Sequence, residues 1–320
     1  MTQAVGIGAG LVAALLFSVV ITGSPLAVLL YSAAPLPILI AALGWNHRAG
    51  LYAAGTGALA VSVALTLPAG LAFAAIIALP AWWIAYLALL ARSDETGPVE
   101  WYPLGNLMIW VAGTATLASV ASALVMTTDY DTYRAVIARM VENLLAEMVR
   151  SKMLTLPAGV TQAEMAANVT PLLVRAVPLG IGASVVTTIT ANLWLAAKTV
   201  QLSGRLPRPW PFIPSTTLPR SALVLLVAGL VTAGLDGFVG LAGVALIGSL
   251  FAAFMFSGLC MLHDLSRGQA WRTPMLISVY VALVVMQAVL TPLLALAGMV
   301  DSLLGLRKRA AMPPPPPPGS

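Results

Sequence analysis

Charge is scarce in this sequence: sixteen Lys and Arg and eleven Asp and Glu make up 8% of 320 residues, where soluble globular chains carry about 25%. So few charges cannot coat a water-facing surface, and 60% of the residues are hydrophobic. That composition excludes a soluble enzyme, a nucleic-acid binder and a disordered chain. A single cysteine, Cys260, leaves no room for a disulfide scaffold or a cysteine-based zinc site. The two histidines, His47 and His263, are too few for a catalytic zinc, which takes about three protein ligands. No GxxxxGK[ST] loop, HExxH or GxSxG is written in the chain. Any ATP hydrolysis must therefore come from another protein, and no catalytic residue, metal site or cofactor is expected. Arg-rich voltage-sensing spans, filter-like loops and charged relays within the apolar stretches are also missing, which argues against a gated channel and a proton-driven pump.

What the sequence has in quantity is long apolar runs. A helical crossing takes about 20 apolar residues, because each adds about 1.5 Å across a core about 30 Å thick. Runs of this kind lie at 5–22, 26–43, 51–67, 70–91, 104–126, 172–197, 221–235, 238–262 and 275–299. Backbone groups in lipid must be bonded within their own segment, so these are helices. The expected fold is an all-α polytopic bundle of eight or nine spans, a single membrane domain over residues 1–306 with the lipid bilayer as its first partner. The first run lacks a basic n-region and a cleavage site, and is expected to remain as a helix.

Basic residues in short loops are retained in the cytoplasm. With the N-terminus inside, Arg48, Arg92, the set Lys198, Arg205, Arg208 and Arg220, and the pair Arg267 and Arg272 all fall on the cytoplasmic side. A ninth straight crossing would leave Arg307, Lys308 and Arg309 outside. Thr291-Pro292 offers a way back: proline removes a backbone donor and kinks a helix, so 275–304 is open to being a broken or re-entrant segment. The orientation this implies is multi-pass with the N-terminus in the cytoplasm.

Two segments stand apart. Across 129–152, Tyr133, Val136, Ile137, Met140, Leu144, Leu145 and Met148 recur at helical spacing between charged residues. They predict one amphipathic helix outside the bundle, lying on the membrane surface or covering a cavity. Residues 205–219 form a proline-rich cytoplasmic loop that cannot be helical and is expected to be extended. The end of the chain, 307–320, reads as a basic then polyproline tail without packed structure.

Polar groups at membrane depth are costly unless paired, so they come first as candidate sites. Gln287 lies mid-way along the last run and Asn192 in the sixth; each either meets a ligand or bridges two helices. Trp82, Trp83 and Tyr86 follow Pro80 and present rings either to a planar ligand or to the membrane interface. Asp236-Gly237 reads as a turn with an N-cap, and His263-Asp264 as a loop pair at the membrane surface.

A set of landmarks runs along nearly the whole chain: Ser24-Pro25 and Pro35-Leu36-Pro37, then Trp210-Pro211-Phe212-Ile213-Pro214 with Leu218-Pro219-Arg220, Phe256-Ser257-Gly258-Leu259, and Leu296-Ala297-Gly298-Met299-Val300-Asp301 before Leu306-Arg307. In this order they resemble the YybS-like family of predicted bacterial membrane proteins, a domain of unknown function. That family is distantly similar to the S components of energy-coupling factor transporters. The resemblance implies a small-molecule-binding component, powered by the coupling and ATPase subunits of a transporter. It also implies a partner-helix face of small residues, for which Gly6, Ala9, Gly10 and Ala13 have the spacing, although small-xxx-small patterns serve ordinary packing too. The alternative is a non-transporting membrane scaffold or envelope assembly factor.

Overall fold

The computed structural model describes residues 2–93, 97–157 and 159–307. These are almost wholly helical, and the basic and polyproline stretch 308–320 lies outside them. α1 (Thr2–Ser18) runs on through a 3-10 turn to Thr22, and Gly23 ends it at φ +64°. The second apolar run is two helices, α2 (Pro25–Ser32) and α3 (Pro35–Trp45), because Pro35 and Pro37 bring no N–H to continue the ladder. Asn46 caps α4 (His47–Ala64) with its side-chain oxygen, and Thr66 caps α5 (Leu67–Phe73). A π turn over Ala74–Ala78 joins α5 to α6 (Leu79–Ala88), just where Pro80 withholds its donor. Two short antiparallel strands, Ala91–Arg92 and Glu100–Trp101, lead to α7 (Leu104–Met126).

The second half holds α8 (Tyr130–Arg150), α9 (Gln162–Leu202), α10 (Ser221–Ala233), α11 (Gly237–Leu265), α12 (Arg272–Val285) and α13 (Gln287–Leu304). Among the described residues, seven stretches are long and apolar enough to cross a membrane: Thr2–Thr22, Pro25–Trp45, Leu67–Ala88, Leu104–Met126, Gln162–Leu202, Gly237–Leu265 and Gln287–Leu304. α10 and α12, with 13 and 14 residues, are shorter than the roughly 20 a full crossing takes. Asp236 takes the N-cap position of α11 without a side-chain bond, and Gly237 turns at φ +73°.

The last apolar run breaks elsewhere than at Thr291-Pro292. The chain turns at Met286 (φ −119°, ψ 39°), and Pro292 lies inside α13. The single stretch 275–299 is thus two helices, and α13 packs along α11 over most of its length. Their contact is closest where Gly258 meets Gly298. A Cβ on Gly258 would fall 2.0 Å from Leu294 O, and one on Gly298 would fall 2.2 Å from Phe254 O. Each glycine meets the carbonyl four residues before the other, the mutual pattern of two parallel helices in register. No larger residue permits that approach, and close backbone contact is what holds helices together where lipid is as apolar as leucine.

The amphipathic helix, expected on the membrane surface or over a cavity, packs its apolar face on protein. Tyr133, Ile137, Val141 and Leu145 of α8 are buried against Ala166 and Val174 of α9, Ala123 of α7 and Leu241 of α11. α9 makes this possible: its 41 residues extend about 60 Å at 1.5 Å each, twice the hydrocarbon thickness. Its first turns therefore lie before the expected span of 172–197 and offer α8 a face. Tyr130 and Tyr133 also pack their rings on Phe238. Met140 and Leu144, on the adjoining flank, are exposed.

Both helices of this pair begin with acid-dependent caps. Hydrogen bonds from the Thr132 side chain and backbone lower the Asp129 carboxyl, and the Thr161 backbone and hydroxyl lower that of Glu164. A carboxyl lowered on folding adds stability above its ordinary range and loses it as pH falls through the folded value. Hydrogen-exchange protection around residues 129–133 and 161–165 should therefore fall between pH 5 and 3; protection that is constant or rises would contradict the caps. For the α11–α13 contact, Gly258→Ala should lower stability in detergent by about 1–3 kcal/mol. Gly113→Ala, whose added carbon meets nothing, should not.

Candidate functional site

Basic and aromatic side chains gather at one end of the bundle, where the strip between α9 and α10 crosses it. Prolines keep this strip out of regular helix, apart from a 3-10 turn over Ile213–Ser215. Arg208 donates to Ala88 O at the end of α6 and to Tyr102 O before α7, both at 3.0 Å. Lys198 lies 4.9 Å from the Trp210 ring, Arg205 4.6 Å from Trp45, and Arg267 4.4 Å from Phe212. Such cation–ring contacts contribute about 0.5–2 kcal/mol each. The strip is pinned through its own cations and rings.

Beneath it lies a buried ion pair. Arg307 Nε and Nη2 donate to Asp301 Oδ2 at 3.0 and 2.7 Å, and their side chains are 7% and 0% exposed. The same guanidinium donates to Thr216 O at 2.8 Å and to Pro214 O, and comes 4.0 Å from Asp264, which also holds Arg267 at 2.9 Å. Gly305 at φ +61° turns the chain so that Arg307 can fold back over α13. Beside this pair opens a cleft of about 740 Å³, bounded by the start of α7, the strip from Pro211 to Arg220 and the end of α13. That volume falls within the roughly 300–1,000 Å³ of small-molecule sites. Arg220 reaches over its rim to Leu303 O at 3.2 Å, and Thr216 Oγ1 is buried without a partner.

Most residues singled out from the sequence lie away from this cleft. Gln287, expected mid-span, is the exposed first residue of α13, because the helix breaks before it. Asn192 is buried and bridges helices: Nδ2 donates 2.8 Å to Ser32 O and 2.8 Å to Thr188 O. Ser32 O needs that donor, since Leu36 N, its helical partner, bonds Ala33 O at the α2–α3 break. Gly6 and Gly10 pack on this chain's own α4, where an added Cβ would fall 2.6 Å from Ala49 O and 2.4 Å from Ala53 O. Ala13 is buried and Ala9 half-buried in the same core, so the small face of α1 is covered from within.

Trp82, Trp83 and Tyr86 form a half-buried ring cluster joined by His47 and Trp110, with Trp82 Nε1 donating to His47 O at 3.0 Å. Tyr86 lines a cleft of about 230 Å³ beside Trp45 and Pro207, below the usual ligand range. His263 and Asp264 belong to the last turn of α11 rather than to a loop, with His263 Nε2 2.9 Å from Tyr280 Oη. No group of His, Cys, Asp and Glu that could hold a metal occurs among the described residues. Sequence reasoning missed the Asp301–Arg307 pair. Its signal was an acid near the end of an apolar helix, which must find a cation or stay uncharged. No family model matches the chain, and comparison with curated proteins and with solved structures returns no match.

Removing one partner of a buried pair strands the other. Arg307→Met should cost about 3–5 kcal/mol of stability in detergent, and Arg307→Met with Asp301→Leu should recover much of it. Asn192→Leu should cost about 1 kcal/mol. Equal stability of all these variants and wild type would contradict the bridging roles of Arg307 and Asn192.

Proposed function

We propose that this is a multi-pass membrane protein of a bacterial inner membrane that holds a small molecule in the cleft between α7, the proline-rich strip and α13. The observation that carries this reading is a ligand-sized cleft at the end where the basic residues collect. By the positive-inside rule that end is cytoplasmic. Counting α4 and the short α10 and α12 as partial traverses beside the seven long stretches, the start of α1 and the end of α13 fall at that end. This count supplies an even parity, with Arg307 beside Asp264 and Thr216 as its support. The protein carries no phosphate loop of its own, so if binding serves transport the energy comes from a partner, as the YybS-like resemblance implies through coupling and ATPase subunits. A scaffold reading has one observation in its favour, the α8–α9 pair at the opposite end, whose Met140 and Leu144 stay uncovered.

Two experiments test the reading. In a Cys260→Ser background, a cysteine at Ser203 should label from the cytoplasm and one at Ser151 from the outside; labelling of both from one side would overturn the topology. Leu304→Trp narrows the cleft from its rim. A small molecule released from purified wild-type protein, identified by mass spectrometry, should be depleted from this variant at equal folded protein. Identical extracts would remove the cleft as the site.

A further inference from the structure

We infer that the cleft takes a phosphate-bearing amphiphile, its phosphate held between Arg220 and the start of α7; this rests on the cleft being a binding site. The only carboxylate in its lining among the described residues, Asp301, is already neutralised by Arg307. Arg220 has no ion pair among the described residues and spends one N–H on Leu303 O. Its positive charge is therefore uncompensated where the cleft opens. Across the cleft, α7 begins after Pro103 with no side-chain cap. The amides of Leu104, Gly105 and Asn106 therefore have no acceptor within the helix, and they carry the positive end of its dipole.

Asn106 also lines this space and brings an amide donor. A guanidinium, a helix start and a side-chain amide exceed what the two oxygens of a carboxylate accept. They match the three free oxygens of a phosphate monoester or the two of a diester together with its ester oxygens. Beside the hydroxyl residues Ser215, Thr217 and Ser302, the lining holds the apolar Pro211, Phe212, Leu218 and Leu304. Phe212 and Leu304 are 48% and 42% exposed, an apolar margin that suits an attached hydrocarbon or ring. A lipid headgroup and a soluble phosphate ester share this chemistry.

The test uses the full chain purified in dodecyl maltoside, with binding read by native mass spectrometry. The probes are dioleoylphosphatidylglycerol, phenyl phosphate and uncharged dioleoylglycerol. Wild type and Arg48→Gln, which removes an exposed cation outside the cleft, should bind a phosphate probe at least tenfold more tightly than dioleoylglycerol. Arg220→Gln should weaken that probe at least tenfold with an unchanged gel-filtration profile, and Arg220→Lys should restore most of the binding. Binding of phosphatidylglycerol alone marks a lipid headgroup as the source, and binding of phenyl phosphate marks a soluble ester. Wild-type affinity in Arg220→Gln, or failure of both phosphate probes to bind wild type, overturns the inference. Dioleoylglycerol bound as tightly as the phosphates, but lost in Leu304→Trp, would overturn phosphate recognition while leaving the cleft as a binding site.

Discussion

The guanidinium of Arg307 joins stretches of chain that no ladder of backbone bonds connects. It neutralises Asp301 on α13, donates to the carbonyls of Pro214 and Thr216 in the strip, and approaches Asp264 at the end of α11. The constraint behind it is general: a carbonyl left without an N–H in a nearly dry interior costs free energy until some donor reaches it. This chain breaks its helices often and has few polar side chains to repair them. Asn192 serves Ser32 at the α2–α3 break, Arg208 serves Ala88 and Tyr102, and Arg220 serves Leu303. The scarce polar residues are placed where helices end.

That arrangement connects fold to function. Were α12 and α13 one straight helix, Arg307 would emerge at the opposite end from the strip, and the cleft would have no third wall. The turn at Met286 and the glycine contact of Gly258 with Gly298 bring α13 back along α11. Gly305 then directs Arg307 under the strip. Four cation–ring contacts, together with the bonds of Arg208, fix the strip from the other side. The basic residues between the helices thus hold the strip in place.

Class and helix content were legible in the sequence because composition alone decides them: apolar runs of the right length leave few alternatives. The stripe of Tyr133, Ile137 and Leu145 was legible as a face, but what lies beneath it was not. A helix with one apolar side fits lipid or protein equally, and the decision came from the extra length of α9. Gln287 was misplaced for a related reason. Hydropathy does not register a break between two apolar helices, and nothing in Val285-Met286-Gln287 resembles a turn. Arg307 was assigned to a tail because its partners Pro214 and Thr216 stand some ninety residues earlier, a separation that no local pattern bridges. The landmarks Trp210 to Pro214 and Leu306-Arg307, noted only for their order, meet in space.

The central claim is that one buried guanidinium holds the proline-rich strip over the cleft, and hydrogen exchange of protein in lipid nanodiscs tests it most directly. Ser215 N and Thr216 N bond to Phe212 O and Ile213 O, and Ala222 N bonds to Pro219 O, so these amides report on the strip. In Arg307→Met they should exchange faster than in wild type, while the amides of α8, at the other end, keep their rates. Unchanged exchange over residues 212–222, or equal acceleration in α8, would contradict the account.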